Sequence, residues 1–187
     1  MKKRCAWPSE DELMIKYHDK EWGTVQHNDK ILFEFFILDT FQAGLSWRTI
    51  LYKRENFRKA FDNFNINKIA KYGKRDFNRL MKNAGIIRNK AKINAAIHNS
   101  QLILGLKKEF GSFSKYLWKF SKNKVVKNKR RRMKDIVTTS PLSDAISKDM
   151  KERGFKFVGS TTIYAFIQSM GIVNDHVVDC FRYNKLG

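Results

Sequence analysis

Residues 29–47 constrain this chain more than any other stretch. The run Ile31-Leu32-Phe33-Glu34-Phe35-Phe36-Ile37-Leu38 reads as an apolar helix that starts near Asp29. A helix this apolar has to be enclosed by other elements. Asp39 follows directly, so a carboxyl group is carried to the buried end of that helix. An unpaired charge is costly there, and a partner is needed. Gly44 then breaks the helix and permits close approach of another backbone. Ser46 is placed to cap the next helix, which Trp47 opens with a flat apolar surface. The residues leave two readings open. One is a helix-turn-helix corner with a satisfied buried acid. The other is a carboxyl and an indole presented together at a site.

The rest of the chain reads as helices around this one. Ser9-Glu10-Asp11-Glu12 has capping-box spacing and is expected to start the first helix, with Leu13 and Tyr17 on one face and Gly23 at its end. Asn28 or Asp29 caps the apolar helix. The next spans 46–61, where Ile50, Leu51, Phe57 and Phe61 recur at helical spacing. Shorter helices are expected at 67–72, at 75–84 before Gly85, and at 112–120, with a long amphipathic one at 88–106. Ser140-Pro141 is a helix entry running to about Arg153. A tight apolar turn follows, Gly154-Phe155-Lys156-Phe157-Val158-Gly159, and Ser160-Thr161-Thr162 starts a last helix to about Met170. No run alternates cleanly enough for a strand. The expectation is an all-α fold with short connections.

Charge narrows the partner. Lysine and arginine number 38 against 18 acids, a formal net charge of +20, which favours nucleic acid ahead of an anionic membrane. With 42% hydrophobic and 13% aromatic residues the chain is globular rather than disordered. No run reaches the ~18 apolar residues of a membrane span. Met1-Lys2-Lys3-Arg4-Cys5 has no apolar run after it, so no secretory signal is expected, and the expected compartment is a reducing cytoplasm. Basic residues are densest at 119–134, around Lys129-Arg130-Arg131-Arg132. That segment is either a solvated flexible loop or an auxiliary contact to phosphates. Lys148, Lys151, Arg153 and Lys156 flank the apolar turn. The following helix start is either part of an ordinary helical hairpin or a set of backbone N–H groups offered to a phosphate.

The two cysteines, Cys5 and Cys180, lie at opposite ends of the chain, each with a histidine companion. His18 follows Cys5 by thirteen residues, and His176 precedes Cys180 by four, which puts the latter pair on one face of a helix. Two sulfurs and two imidazoles complete a closed tetrahedral zinc site, which would tie the termini together. A Cys5–Cys180 disulfide and two unrelated buried thiols compete with it. His27 and His98 have no such company and read as surface or core residues.

Several motifs occur in one order. They are Arg4-Cys5-Ala6-Trp7, Tyr17-His18-Asp19-Lys20-Glu21-Trp22-Gly23, Phe41-Gln42-Ala43-Gly44-Leu45-Ser46-Trp47, Gly85-Ile86-Ile87-Arg88-Asn89, Lys151-Glu152-Arg153-Gly154-Phe155-Lys156-Phe157-Val158-Gly159 and Asn174-Asp175-His176. Over nearly the full length the chain resembles the DNA-3-methyladenine glycosylase I family. The resemblance implies a helix-hairpin-helix DNA glycosylase, a single unit of two helical lobes whose termini are joined by one structural zinc. It implies Cys5, His18, His176 and Cys180 as ligands, and Trp7, Tyr17 and Trp47, with Trp22 beside them, as the base pocket. The base-reading acid falls at Asp39, one methylene shorter than the glutamate usual in the family. Gly44 and Leu45 are candidates for the turn that enters the gap left by a flipped base, although Leu45 could equally staple the helix after it. Gly159, Ser160, Thr161 and Thr162 are candidates for gripping the DNA backbone. The implied activity is hydrolytic release of 3-methyladenine from alkylated double-stranded DNA by a monomer, in base-excision repair. The alternative is a non-catalytic zinc-containing protein that binds damaged DNA. A plain basic DNA-binding protein is disfavoured by the aromatic cluster, which simple phosphate binding does not need.

Overall fold

The computed structural model describes residues 2–186. Among them the helices are α1 (Glu12–Lys20), α2 (Asp29–Gln42), α3 (Trp47–Ala60), α4 (Ile66–Ile69), α5 (Lys74–Lys82), α6 (Lys90–Phe110), α7 (Phe113–Trp118), α8 (Pro141–Glu152) and α9 (Ser160–Ser169). The expected all-α class holds. The strands found among the described residues are two-residue segments, β1 (Val126–Lys127) and β2 (Val173–Asn174), paired in parallel with Val126 opposite Val173. No helix of the described residues is long and apolar enough to cross a membrane.

The apolar pattern makes α2 the central helix. Every residue from Leu32 to Phe41 is buried, and α3, α6, α7 and α9 pack around it. Enclosure forces its one mid-helix charge to find partners. Glu34 accepts from Arg54 Nε at 2.6 Å and Arg58 Nε at 2.9 Å, and Arg54 reaches on to Glu21 at 2.6 Å. The Arg54 guanidinium also lies over the Phe35 ring, 4.7 Å from its centroid.

The end of α2 is fastened from outside. Buried Lys92 of α6 donates to the carbonyls of Phe41 at 2.8 Å and Ala43 at 2.5 Å, satisfying groups that a helix end leaves open. Gly44, at φ +77°, takes the chain out of the helix. Leu45 N donates to Gln42 O, and Ser46 accepts from Thr49 N at 3.2 Å to start α3. Asn28 caps α2 as expected.

Three expectations need correction. Asp11, not Ser9, caps α1, accepting from Met14 N at 3.0 Å. Ser9 sits in the preceding turn at φ +50°, which a helix N-cap does not adopt. Helix α6 does not stop at 106: it passes Gly105 and ends at Phe110, before Gly111 at φ +84°. A glycine inside a helix costs only ~1 kcal/mol, and burial of Ile103 and Leu106 on either side outweighs it. The basic segment 119–134 is not a free loop. β1 lies within it, Arg130 and Asn128 donate to the buried Asp175 at 3.2 and 2.7 Å, and Val178 N donates to Arg130 O at 2.8 Å.

Helices α8 and α9 form a hairpin across a short turn. Its apolar residues Phe155 and Val158 are buried. The Asn99 side chain brackets Lys156, donating to its carbonyl and accepting from its N–H at 2.9 Å each. Ser147 donates to Val158 O at 2.6 Å. After α9, Gly171 at φ +72° lets the chain pass the 23–26 segment, and a Cβ there would lie 2.5 Å from Val25 N. Gly23 N donates to Ser169 O and Gln26 N to Met170 O across this contact. The end of α9 is thereby locked beside Trp22 and Gly23.

Candidate base pocket and metal centre

The chain ends meet in a buried cluster. The ligand atoms of Cys5, His18, His176 and Cys180 all lie within 4.8 Å of one another. Sulfur–nitrogen separations are 3.5 Å from Cys5 to His176 Nδ1, 3.5 Å from Cys180 to His18 Nε2 and 3.4 Å from Cys180 to His176 Nδ1. A tetrahedron with zinc–ligand bonds of ~2.0–2.3 Å has edges of about 3.3–3.8 Å, which these three separations match, and the donor set is of a kind that can hold a metal ion.

Outer contacts orient both rings. Asp19 accepts from His18 Nδ1 at 2.8 Å, which turns His18 Nε2 toward Cys180. Arg4 holds Asp19 from behind with bonds of 2.8–3.0 Å, and keeps that carboxyl below its ordinary range. His176 Nε2 donates to Trp22 O at 3.1 Å, which leaves Nδ1 to face the sulfurs. A hydrogen bond from the Cys5 thiol, aided by His176 and His18, holds Cys180 well below the usual thiol range against the cost of burial.

This cluster places aromatic residues by simple chain proximity. Trp7 lies two residues after Cys5, and Tyr17 precedes His18. The Trp7 ring packs edge-on against Trp22 at 5.2 Å, His18 at 5.4 Å and Tyr17 at 6.1 Å. Trp47, at the start of α3, lies 5.3 Å from Tyr17 and stacks on Phe35 at 6.0 Å. Together they wall a cavity of about 230 Å³, with Met14, Gln42, Ala165 and Gln168 further around it. Asp39 and Ser169 also line it. Trp22 lines it and touches His176 as well, 4.5 Å between rings, so it joins the two centres.

The cavity's electrostatics centre on one group. Asp39 is 3% exposed, and burial holds its carboxyl well above the ordinary carboxylate range, with the Ser169 hydroxyl 3.5 Å from Oδ2 opposing weakly. Burial, then Asp39 and Glu21, likewise keep the Tyr17 phenol neutral, so its O–H remains a donor. The indole N–H groups of Trp7 and Trp47 are buried without a protein partner. A cavity with flat apolar walls and a carboxyl can hold a planar, hydrogen-bonding heterocycle. A larger cleft of about 430 Å³ lies away from it, lined by Asp29, Asp62, Lys68 and Lys107 among others. There Asp62 pairs with Lys68 and Asp29 with Lys107, and the aromatic lining is Phe33, Phe64 and Phe113, with no tryptophan or tyrosine.

The pattern of the methyladenine glycosylase family matches residues 7–183. The chain belongs to this family. The DNA-3-methyladenine glycosylase of Haemophilus influenzae is 44% identical over 96% of this chain and 97% of its own length. DNA-3-methyladenine glycosylase 1 of Escherichia coli is 44% identical over 96% of each chain. A crystal structure of a 3-methyladenine DNA glycosylase I variant in complex with 3-methyladenine superposes with a TM-score of 0.94 at 33% identity, covering 98% of this chain and 99% of that one. The Staphylococcus aureus glycosylase, solved for 3-methyladenine recognition, gives 0.93 at 34% identity, covering 96% of each.

Within this family frame, the sequence-derived residues fall into two neighbouring places. Trp7, Tyr17, Trp22, Asp39 and Trp47 line the cavity together. Gly44, Leu45, Thr161 and Thr162 line an adjoining crevice that shares Asp39, Gln42 and Ala165 with it. Leu45 is 40% exposed at its rim. Gly159 and Ser160 lie outside that lining. Gly159 is the N-cap of α9, and the Ser160 hydroxyl is 2.8 Å from that of Ser143. Sequence reasoning misses Met133 and Ile136, which close one side of the cavity from the end of the basic segment, and Ser169.

Proposed function

We propose that the chain is a monofunctional, monomeric N-glycosyl hydrolase that removes 3-methyladenine from alkylated double-stranded DNA. The observation that carries the reading is the single buried carboxyl of Asp39 inside an aromatic-walled cavity that opens beside the Gly44–Leu45 turn. The match to relatives named DNA-3-methyladenine glycosylase over nearly the full chain supports it.

Flipping a nucleotide costs a few kcal/mol. Trp47 and Trp7 offset part of that by stacking, at roughly 1–3 kcal/mol per base. Electron-rich ring faces favour a cationic base over a neutral one. N3-methyladenine is cationic while attached to its sugar and is therefore an activated leaving group. Asp39 accepts from its exocyclic amine. The arriving positive charge favours the carboxylate, so the carboxyl proton passes to solvent. As the glycosidic bond breaks, its electron pair neutralises the base. Water then adds to the sugar carbon and loses a proton.

Leu45 enters the gap in the stack, and Gly159, Ser160, Thr161 and Thr162 at the start of α9 hold the backbone in helix-hairpin-helix fashion without reading sequence. Lys129, Arg131 and Lys134, on the segment that leads into Met133 and Ile136, contact phosphates flanking the lesion. Cys5, His18, His176 and Cys180 would hold a zinc ion. All four positions are protein-filled, so its role is to join the two helical lobes' termini and set Trp7 and Tyr17, not to react.

Incubation of methylated duplex DNA with the protein, with chromatographic identification of any free base, tests the reading. Release of 3-methyladenine in excess over protein is expected. Tight binding of the alkylated DNA without release would instead establish the non-catalytic alternative, for which the short Asp39 is the favouring observation.

A further inference from the structure

Asp39 has a short side chain and, among the described residues, one side-chain hydrogen-bond partner, the Ser169 hydroxyl 3.5 Å from Oδ2. Both residues line the cavity, Asp39 from α2 and Ser169 from the last turn of α9, and both are 3% exposed. A serine hydroxyl has one proton and two lone pairs. That proton has two acceptors in reach, Phe166 O at 2.8 Å and Asp39 Oδ2 at 3.5 Å, and the shorter contact takes it. A lone pair is then left to face the Asp39 carboxyl. That arrangement suits a neutral carboxyl, which donates to Ser169. It does not suit a carboxylate, which needs a donor.

The hydroxyl is free to change allegiance. Phe166 O also accepts from Met170 N at 3.0 Å, so turning Ser169 away leaves that carbonyl hydrogen-bonded. Ser169 itself cannot drift, because Gly23 N donates to its carbonyl at 3.3 Å and Gly171 locks the chain behind it.

We propose that Ser169 is a positioning residue for base recognition: its hydroxyl, held on Phe166 O while the cavity is empty, swings to donate to Asp39 Oδ2 when the base arrives, leaving Oδ1 to the base. The proton lost from Asp39 goes to solvent, and the serine keeps its own. Ser169 thus supplies the donor that a buried carboxylate requires at the moment it forms. This rests on the reading of the cavity as a base pocket.

The test is a double-mutant cycle on binding of free 3-methyladenine, followed by quenching of tryptophan fluorescence, since Trp7, Trp22 and Trp47 line the cavity. Ser169→Ala is made in the natural chain and in Asp39→Ala, which leaves the serine no carboxyl to serve. Thermal melting is checked for each, and Asp39→Asn replaces Asp39→Ala if the latter is unfolded. The expected result is an affinity loss of about tenfold beside Asp39 and less than twofold in the second background. Equal losses in both backgrounds would mean a merely structural serine and would overturn the proposal, as would no loss in either. Absence of 3-methyladenine binding by the natural chain would overturn it together with the pocket. Base binding without base release would overturn only the catalytic reading.

Discussion

Lys92→Met removes a cation from the end of α2 while keeping most of the side chain's volume. The Lys92 amine donates to Phe41 O at 2.8 Å and Ala43 O at 2.5 Å, and the residue is 6% exposed. Hydrogen bonds from a charged donor contribute about 1.5–3 kcal/mol each. Burial already pulls this amine below the ordinary lysine range, so part of that gain is offset by desolvation. The Ala43 carbonyl is only partly buried and regains water in the variant, whereas Phe41 O stays inside. The net loss is then about 2–3 kcal/mol, or roughly 4–12 °C in Tm for a chain of this size. Calorimetry measures it. The same substitution loosens the Gly44–Leu45 turn, so single-turnover base release should fall about tenfold, since a small misplacement is expensive in an oriented reaction. Affinity for free base should stay within about threefold, because Asp39 and Trp47 do not touch the amine. A Tm within about 1 °C of the natural chain would refute the claim that Lys92 fastens this helix end.

Trp47→Ala should weaken 3-methyladenine binding by ~5–150-fold, the equivalent of 1–3 kcal/mol of stacking, with undamaged-DNA affinity nearly unchanged; equal losses in both would remove the stacking role. Neutralising Lys129, Arg131 and Lys134 together should reduce the slope of log affinity against log salt by about 0.9 for each phosphate that no longer meets a cation, and an unchanged slope would show that the segment does not touch DNA. Protein purified without chelator should carry about one zinc per chain, and stripping it should lower Tm and change the Trp7 and Trp22 fluorescence. Metal-free protein with two titratable thiols would contradict the site. Asp39→Asn has a pH signature. Burial raises the Asp39 carboxyl in the folded chain, so its stability contribution is full below the unfolded value of ~3.9 and is lost as pH rises toward the raised one. The Tm of Asp39→Asn relative to the natural chain should therefore climb as pH rises above about 4. A constant difference would mean that Asp39 is not abnormally protonated.

The features legible before folding are local. The α2 interior, its Asn28 cap, the Ser46 cap and the Ser140-Pro141 entry are short-range signals that the packing leaves intact. The helix expected to put His176 and Cys180 on one face is absent: the segment is irregular and closes in a turn, with Cys180 N donating to Val177 O, and that turn brings the two side chains to 3.4 Å. Their meeting with Cys5 and His18 depends on the whole fold. Lys92 reads in sequence as one more solvated lysine on an amphipathic helix, and only the arrival of the α2 terminus beside it makes it a buried cap. Met133 and Ile136 sit in and just after a run whose charge suggests solvent. The two-residue pairing of β1 and β2 that holds this run is too short to leave an alternating pattern. Ser169 carries no signal at all, because a small hydroxyl on a buried helix face is common. The departure at Asp39 is visible in the sequence, but its cost depends on what faces the carboxyl, which the sequence does not show.

The most direct test is the single-turnover release of 3-methyladenine from duplex DNA by the natural chain and by Asp39→Asn, at equal zinc content and equal DNA binding. Clear release is predicted for the natural chain, with a loss of about a hundredfold in the variant, which keeps the shape but not the charge. Release by Asp39→Asn at the natural rate would contradict the central role of Asp39, and would place the chemistry on some other group of the cavity.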